Sequence, residues 1–218
     1  MHRAVCRHCR KAEVMCYCAQ LKPFKSCPEF IILIHPKETR KAINTGRMAH
    51  LMIENCHLLV GCDFTEDQKL NRLLADPTRR CVLLFPGPQS LDIESFQQRE
   101  GETDQRLLTF IILDGTWAMA KKMYRLSPNL QALPQVMFHP SRPSRFSIRQ
   151  QPDSHCYATI ETVHHMIEVL GTHPAGEHHR LLDLFEDMVK KQIDYEERNQ
   201  VECLSGAGKA EPDWRGGL

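Results

Sequence analysis

Apolar residues fall into short uninterrupted blocks, separated by longer stretches in which they recur every three or four positions. Phe30-Ile31-Ile32-Leu33-Ile34 and Thr109-Phe110-Ile111-Ile112-Leu113 are continuous runs, the pattern of strands covered on both faces. His57 to Val60, Arg80 to Phe85 and Gln135 to Phe138 predict three further strands. Between them the period changes. Lys37 to Ile43 and Gly46 to Asn55 read as helix, interrupted at Asn44-Thr45-Gly46, and Asp67 to Leu74 as another, while 92–104 is polar and helical only in part. Ala118 to Leu126 predicts a helix halted by Ser127-Pro128, and a helix entered at Tyr157 to Ile160 ends at Leu170-Gly171, with glycine at the expected stop. From Glu177 to Arg198, Leu181, Phe185, Met188, Val189 and Ile193 share one face of a last helix, as core or interface. Strands alternating with helices predict an α/β domain with a mostly parallel, Rossmann-like sheet over residues 29–200. Residues 1–28 read as a separate small module, and 201–218, with glycines, charges and Trp214, as a flexible tail.

Two loops follow strands directly. Thr109 to Leu113 runs into Asp114-Gly115-Thr116-Trp117, and in an open α/β sheet ligands lie outside the carboxyl ends of the strands, so these residues stand at the mouth of a site if the strand is central. The plainer alternative makes Asp114 or Thr116 a helix cap and Trp117 core. Arg80 to Phe85 runs into Pro86-Gly87-Pro88, which continues neither strand nor helix and brings backbone close to whatever lies above it.

Cys6-x2-Cys9-x6-Cys16-x-Cys18 gathers four thiols within thirteen residues that have almost no apolar material to build a core. Two close pairs of thiolates suit a closed tetrahedral zinc site, whose metal would supply the folding energy that burial cannot; such a set also serves an iron–sulfur cluster. The other six cysteines are dispersed and read as small buried residues. With no apolar h-region at the start and no run long enough to span a membrane, the expectation is a cytoplasmic protein.

Charge nearly cancels overall, 28 Lys+Arg against 27 Asp+Glu, but its placement does not. Residues 1–50 hold ten basic side chains and only Glu13, Glu29 and Glu38 as acids; Lys121, Lys122, Arg125, Arg142, Arg145 and Arg149 have no acid among them in 121–150. This is the footprint of a surface that meets phosphates, with Arg40, Arg47, Lys121, Arg142, Arg145 and Arg149 as candidate RNA contacts. The pairs His164-His165 and His178-His179 are adjacent in sequence and so diverge on a helix, which reads as histidines solvated or buried singly.

Taken together, Asp114-Gly115-Thr116-Trp117, His35-Pro36-x-Glu38 with Asn44-Thr45-Gly46, Phe85-Pro86-Gly87, and Ala158-Thr159-Ile160-Glu161 resemble the DTW-domain family, and the four-cysteine cluster resembles that of its bacterial members. The likeness is greatest to the tRNA-uridine aminocarboxypropyltransferases. It implies a SPOUT-like fold with a C-terminal knot, acting as monomer or homodimer away from membranes. It also implies transfer of the 3-amino-3-carboxypropyl group of S-adenosylmethionine to N3 of a uridine in the tRNA variable loop, releasing 5′-methylthioadenosine. Asp114, Thr116 and Trp117 would be catalytic: Asp114 as base for N3 or as anchor of the donor's amino group, Thr116 orienting Asp114 or binding the donor's carboxylate, Trp117 stacking on uracil or adenine. Thr45, Phe85, Pro86, Gly87, Leu113, Tyr157, Ala158 and Thr159 would hold the donor, although Asn44 and Thr45 equally suit a helix cap. Where this chain has Ala158, family members often carry serine, so no hydroxyl contact is expected there. The rival readings are an RNA methyltransferase using the same donor and a non-catalytic zinc-containing RNA-binding protein.

Overall fold

The computed structural model describes residues 4–41, 43–100, 104–140, 142–146, 156–173 and 175–206. Six strands form one sheet: β1 (Glu29–Ile34), β2 (Cys56–Val60), β3 (Arg79–Leu84), β4 (Leu91–Asp92), β5 (Leu107–Asp114) and β6 (Gln135–Met137). Their order is β2-β1-β5-β3-β6-β4, and every pairing is parallel. All six carboxyl ends therefore lie along one edge, with β5 between β1 and β3.

Helices cover both faces, which explains the unbroken apolar runs. On one face Phe30, Ile32, Phe110 and Ile112 pack with α1 (Thr45–Met52), α3 (Ile93–Glu100), α6 (Thr159–Leu170) and α7 (His179–Gly206). On the other, Ile31, Leu33, Ile111 and Leu83 meet α2 (Gln68–Leu74), α4 (Trp117–Leu126) and α5 (Pro128–Gln131). A strand with helices on both sides loses the polar alternation of a half-exposed one. Cys9, Tyr17 and Phe24 are buried in the first of these cores, so residues 4–28 share the apolar interior of the sheet domain.

Several expectations change in detail. In place of the helix expected over Lys37 to Ile43, the described residues form one 3-10 turn, Glu38–Arg40. Asn44 needs an extended backbone (φ −120°) for its side chain to accept the Arg47 amide at 2.7 Å and cap α1, and an N-cap of that kind cannot itself continue a helix. Four elements appear that the pattern did not mark, the 3-10 turns Glu13–Met15 and Cys18–Gln20, the two-residue β4 and the four-residue α5, all too short to show a period. Gly171 ends α6 in the left-handed conformation (φ 61°) as expected. The last helix runs on to Gly206, past the expected end at Arg198, so 201–206 are helical and the remainder of the expected tail lies outside the described residues. No helix among the described residues is long and apolar enough to cross a membrane.

Candidate functional site

A cavity of about 580 Å³ opens at the carboxyl edge of the sheet, within the size range of small-molecule sites. Its walls come from the ends of β3 (Leu84, Phe85, Pro86), β5 (Ile112, Leu113, Gly115, Thr116), β6 (Val136, Met137, Phe138) and the start of α6 (Tyr157, Ala158, Thr159, Thr162). The centrality of β5 puts the Asp114-Trp117 turn in the middle of that edge. Thr116 caps α4, accepting the Met119 amide at 3.4 Å, and so starts a helix immediately after the strand. Trp117 is not core: its indole is 42% exposed at the cavity, edge-on to Phe85 with ring centres 6.2 Å apart.

Two aromatic groups face the space. Phe85 stacks on Tyr124 at 4.6 Å and supports Trp117. From β6 and the start of α6, Phe138, Tyr157 and His165 pack together at 4.7–5.7 Å. Lys41 is also part of the lining, its ammonium 2.6 Å from Glu38. Apolar walls with a few placed polar groups are what a nucleoside-bearing ligand requires, since flat rings can stack while charges are met at the rim.

Asp114 lies just behind this lining. It is 7% exposed, and among the described residues no carboxylate lines the cavity itself. Thr159, which does line it, donates to Asp114 Oδ1 at 2.6 Å. On its other side the carboxylate meets α1 so closely that a Cβ on Gly46 would come within 2.4 Å of Oδ2. Asp114 is thus held between the first turns of α1 and α6, where the partial positive charge of both helix ends favours an anion. His35, at the neighbouring end of β1, donates its backbone N–H to the Asp114 carbonyl at 3.0 Å. Burial, with help from Lys122 and Lys37, lowers the His35 pKa and keeps the ring neutral.

Glu161 fixes the start of α6. It accepts the Ala158 amide, the Ser144 hydroxyl and the Arg145 amide, each at 2.7 Å. Ala158 has no side-chain oxygen to return the favour, so only half of a capping box forms, and the adjacent Thr159 hydroxyl is spent on Asp114 instead.

Of the expected donor contacts, Phe85, Pro86, Leu113, Tyr157, Ala158 and Thr159 line the cavity, as do Thr116 and Trp117. Thr45 and Gly87 do not. Thr45 is buried as the first residue of α1, and the Gly87 amide donates to Ser90 Oγ at 2.7 Å. Lys41, Phe138 and Thr162 were not anticipated; for Phe138 the signal was its place at the end of a short strand on the same edge.

The candidate RNA contacts differ in their surroundings. Arg40, Lys121 and Arg142 are exposed. Arg145 is ion-paired with Glu186, and Arg47 is half-buried, its pKa lowered by burial and by Arg10. Arg149 lies outside the described residues.

At the N-terminus the four cysteines do converge. The sulfurs of Cys6, Cys9, Cys16 and Cys18 lie within 4.8 Å of one another, with Cys6–Cys18 at 3.6 Å and Cys9–Cys16 at 3.7 Å. A tetrahedron with Zn–S bonds of ~2.3 Å has S–S edges of roughly 3.8 Å, so the spacing fits a metal and is far too long for disulfides. Backbone amides of Cys9 and His8 point at Cys6 and bring its thiol down to about 6, and Arg10 takes the left-handed conformation (φ 59°) that closes this turn.

Comparison with known proteins agrees with this geometry. A tRNA-uridine aminocarboxypropyltransferase 2 of Drosophila melanogaster is 31% identical over 179 residues, 79% of this chain and 68% of its own length. Proteins of the same name from Mus musculus and Macaca fascicularis are 26% and 27% identical over 163 residues, 73% of this chain. The chain spans only 54% of each of those two. No solved structure matches significantly. The DTW domain matches residues 3–193, taking in the cysteine cluster, the whole sheet and both walls of the cavity, and the chain belongs to the DTW-domain family.

Proposed function

We propose that this protein transfers the 3-amino-3-carboxypropyl group of S-adenosylmethionine to N3 of a tRNA uridine, in the variable loop, forming 3-(3-amino-3-carboxypropyl)uridine and 5′-methylthioadenosine. The observation that carries the reading is the Thr159–Asp114 pair at the floor of an aromatic cavity on the carboxyl edge of the sheet, in a chain of the DTW family. The donor's sulfonium makes its aminocarboxypropyl Cγ electrophilic. The protein must aim that carbon, rather than the methyl, and most of the acceleration comes from such alignment.

In this reading the Phe85, Pro86 and Leu113 wall and the Tyr157 to Thr159 wall hold the donor's nucleoside, and Lys41 meets its carboxylate. The exposed Trp117 indole stacks on the uracil. Uridine N3 attacks only after losing its proton, which passes to the Thr159 hydroxyl while that hydroxyl gives its own proton to Asp114 Oδ1. Asp114 therefore acts as a base through Thr159, with Thr116 capping the helix that follows Asp114 and Glu161 fixing the start of α6.

The four-cysteine group would hold a structural zinc, supported by its sulfur spacing. Exposed Arg40, Lys121 and Arg142 would meet tRNA phosphates. A SPOUT-like class with a C-terminal knot belongs to the same proposal, for which the six parallel strands are the support. So does a cytoplasmic place of action, in keeping with nine free thiols among the described residues.

Incubation with unmodified tRNA and the donor, followed by mass spectrometry of the nucleosides and of the spent donor, tests the reading. Aminocarboxypropylated uridine with methylthioadenosine is expected. Adenosylhomocysteine would instead mark a methyltransferase, and unconsumed donor a protein that only binds RNA.

Gly46 offers an independent check on the placement of Asp114. Alanine would ordinarily favour a helix by about 1 kcal/mol over glycine, but here its Cβ would sit 2.4 Å from Asp114 Oδ2 and 3.2 Å from Ile32. Gly46→Ala should displace the carboxylate and slow transfer by up to ~100-fold, with little change in melting temperature, because a misplacement of about 1 Å suffices for such a loss. Single-turnover rates and thermal melts measure the two effects; an unchanged rate would mean that the carboxylate does not have to stay where it is.

A further inference from the structure

Away from the cavity, α6 and the start of α7 bring together side chains that the sequence keeps apart. His164 and Glu168 lie one turn apart on α6, and His178 and His179 come from the loop that begins α7. One ligand atom from each lies within 4.8 Å of the other three. His164 Nε2 is 3.1 Å from His179 Nδ1 and 4.0 Å from Glu168 Oε2, while His178 Nε2 contacts that same oxygen. His164 of α6 thus meets both His178 and His179 at the start of α7, neighbours in sequence that were expected to diverge, and the separations bracket the edge of about 3.3 Å expected for a tetrahedron with metal–N and metal–O bonds of ~2.0 Å.

We propose that His164, Glu168, His178 and His179 form a second metal site, taking a divalent transition ion such as zinc and joining α6 to the start of α7. The donor set is three imidazoles and one carboxylate, a combination that suits zinc and its neighbours and that magnesium or calcium would not select. The nearby rings sort themselves. His165 turns to Phe138 and Tyr157, and His173 accepts the Cys27 amide at 3.1 Å, so neither competes. His178 is 5% exposed, and its Nδ1 is buried without a partner, leaving Nε2 as its coordinating nitrogen. Glu168 and His179 lie at the surface, which gives an ion a way in. Four protein ligands make a closed, structural site, distinct from the sulfur cluster at the other end of the chain.

The test uses the full-length protein, loaded with zinc, dialysed against metal-free buffer and assayed for bound metal by mass spectrometry. His179→Ala and Glu168→Gln, both surface changes, should each retain one zinc ion fewer than the unaltered protein, and His165→Ala should retain the full number. Circular dichroism confirms that the variants are folded. Substitution with cobalt reports the cysteine site separately through its thiolate absorption, which should be the same in every variant. An equal zinc count in the unaltered protein and in both folded surface variants would overturn the proposal, whatever the sulfur cluster holds.

Discussion

Asp114→Asn should slow release of methylthioadenosine by roughly 10²–10⁴-fold, the usual contribution of a positioned acid–base group, while the fold stays intact. Asparagine keeps an oxygen where Asp114 Oδ1 accepts the Thr159 hydroxyl at 2.6 Å, and it keeps the shape that fits over Gly46. It cannot take a proton. If Asp114 only held α6 in place, this variant would work nearly as well as the natural protein and Asp114→Ala alone would fail. Equal inactivity of the two, with normal donor binding, is the expected signature of a proton acceptor. Thr159 supplies the other half of the test. Thr159→Ser retains the hydroxyl and should keep most of the activity, whereas Thr159→Val leaves Asp114 cut off from the cavity and should resemble Asp114→Asn. A rate limited by proton removal should also become steeply dependent on pH in Thr159→Val, because solvent must then supply the base.

The turn at Asp114 shows how far the sequence could be read. A continuous apolar strand followed by an acid, a glycine and a hydroxyl marked the edge at which the cavity opens, because parallel strands buried on both faces leave a plain signature and ligands gather at their carboxyl ends. For Trp117 the same pattern left core and site mouth both open, and its 42% exposure decides for the second. What local pattern could not convey was depth. Asp114 and Leu113 are neighbours in the chain, yet Leu113 lines the cavity while Asp114 turns into the gap between α1 and α6, where Thr159 and Gly46 meet it. That gap exists only because residues 45–46 and 159, more than a hundred positions apart, arrive at the same place, and no periodicity records such a meeting. Asn44 shows the converse: its cap on α1 is local chemistry, and it begins that helix at the interruption read from Asn44-Thr45-Gly46. The histidine cluster was missed for the reason the Asp114 gap was, since its members become neighbours only when α7 packs on α6.

Removing the metal-binding capacity of the N-terminal cysteines should have the second large effect, and it should reach the cavity. Cys9→Ser, or chelation of the intact protein, should unfold the segment around the cluster and lower the melting temperature by roughly 10 °C or more, as expected when several kcal/mol are lost from a domain of this size. Binding of a structural zinc is worth on the order of 10 kcal/mol in small modules, and 4–21 has little else to hold it. What it does have is tied to the main domain. Cys9 and Tyr17 are 0% and 1% exposed in the core they share with Met48 and Met52 of α1, so releasing them uncovers one side of that helix. The same helix begins at Asn44 and presents Gly46 to Asp114. Lys11 Nζ reaches the Lys41 carbonyl at 3.4 Å, beside the cavity wall, and Gln20 bonds Asp187 of α7 at 3.1 Å. Loss of the metal-binding cluster should therefore loosen the α1 side of the Asp114 pocket and depress transfer as well as stability, although none of these four cysteines lines the cavity. Limited proteolysis should cut first within 4–21, and activity should fall with the same zinc dependence as that protection. Full activity in a metal-free protein already cleaved in this segment would show that α1 holds its place without it.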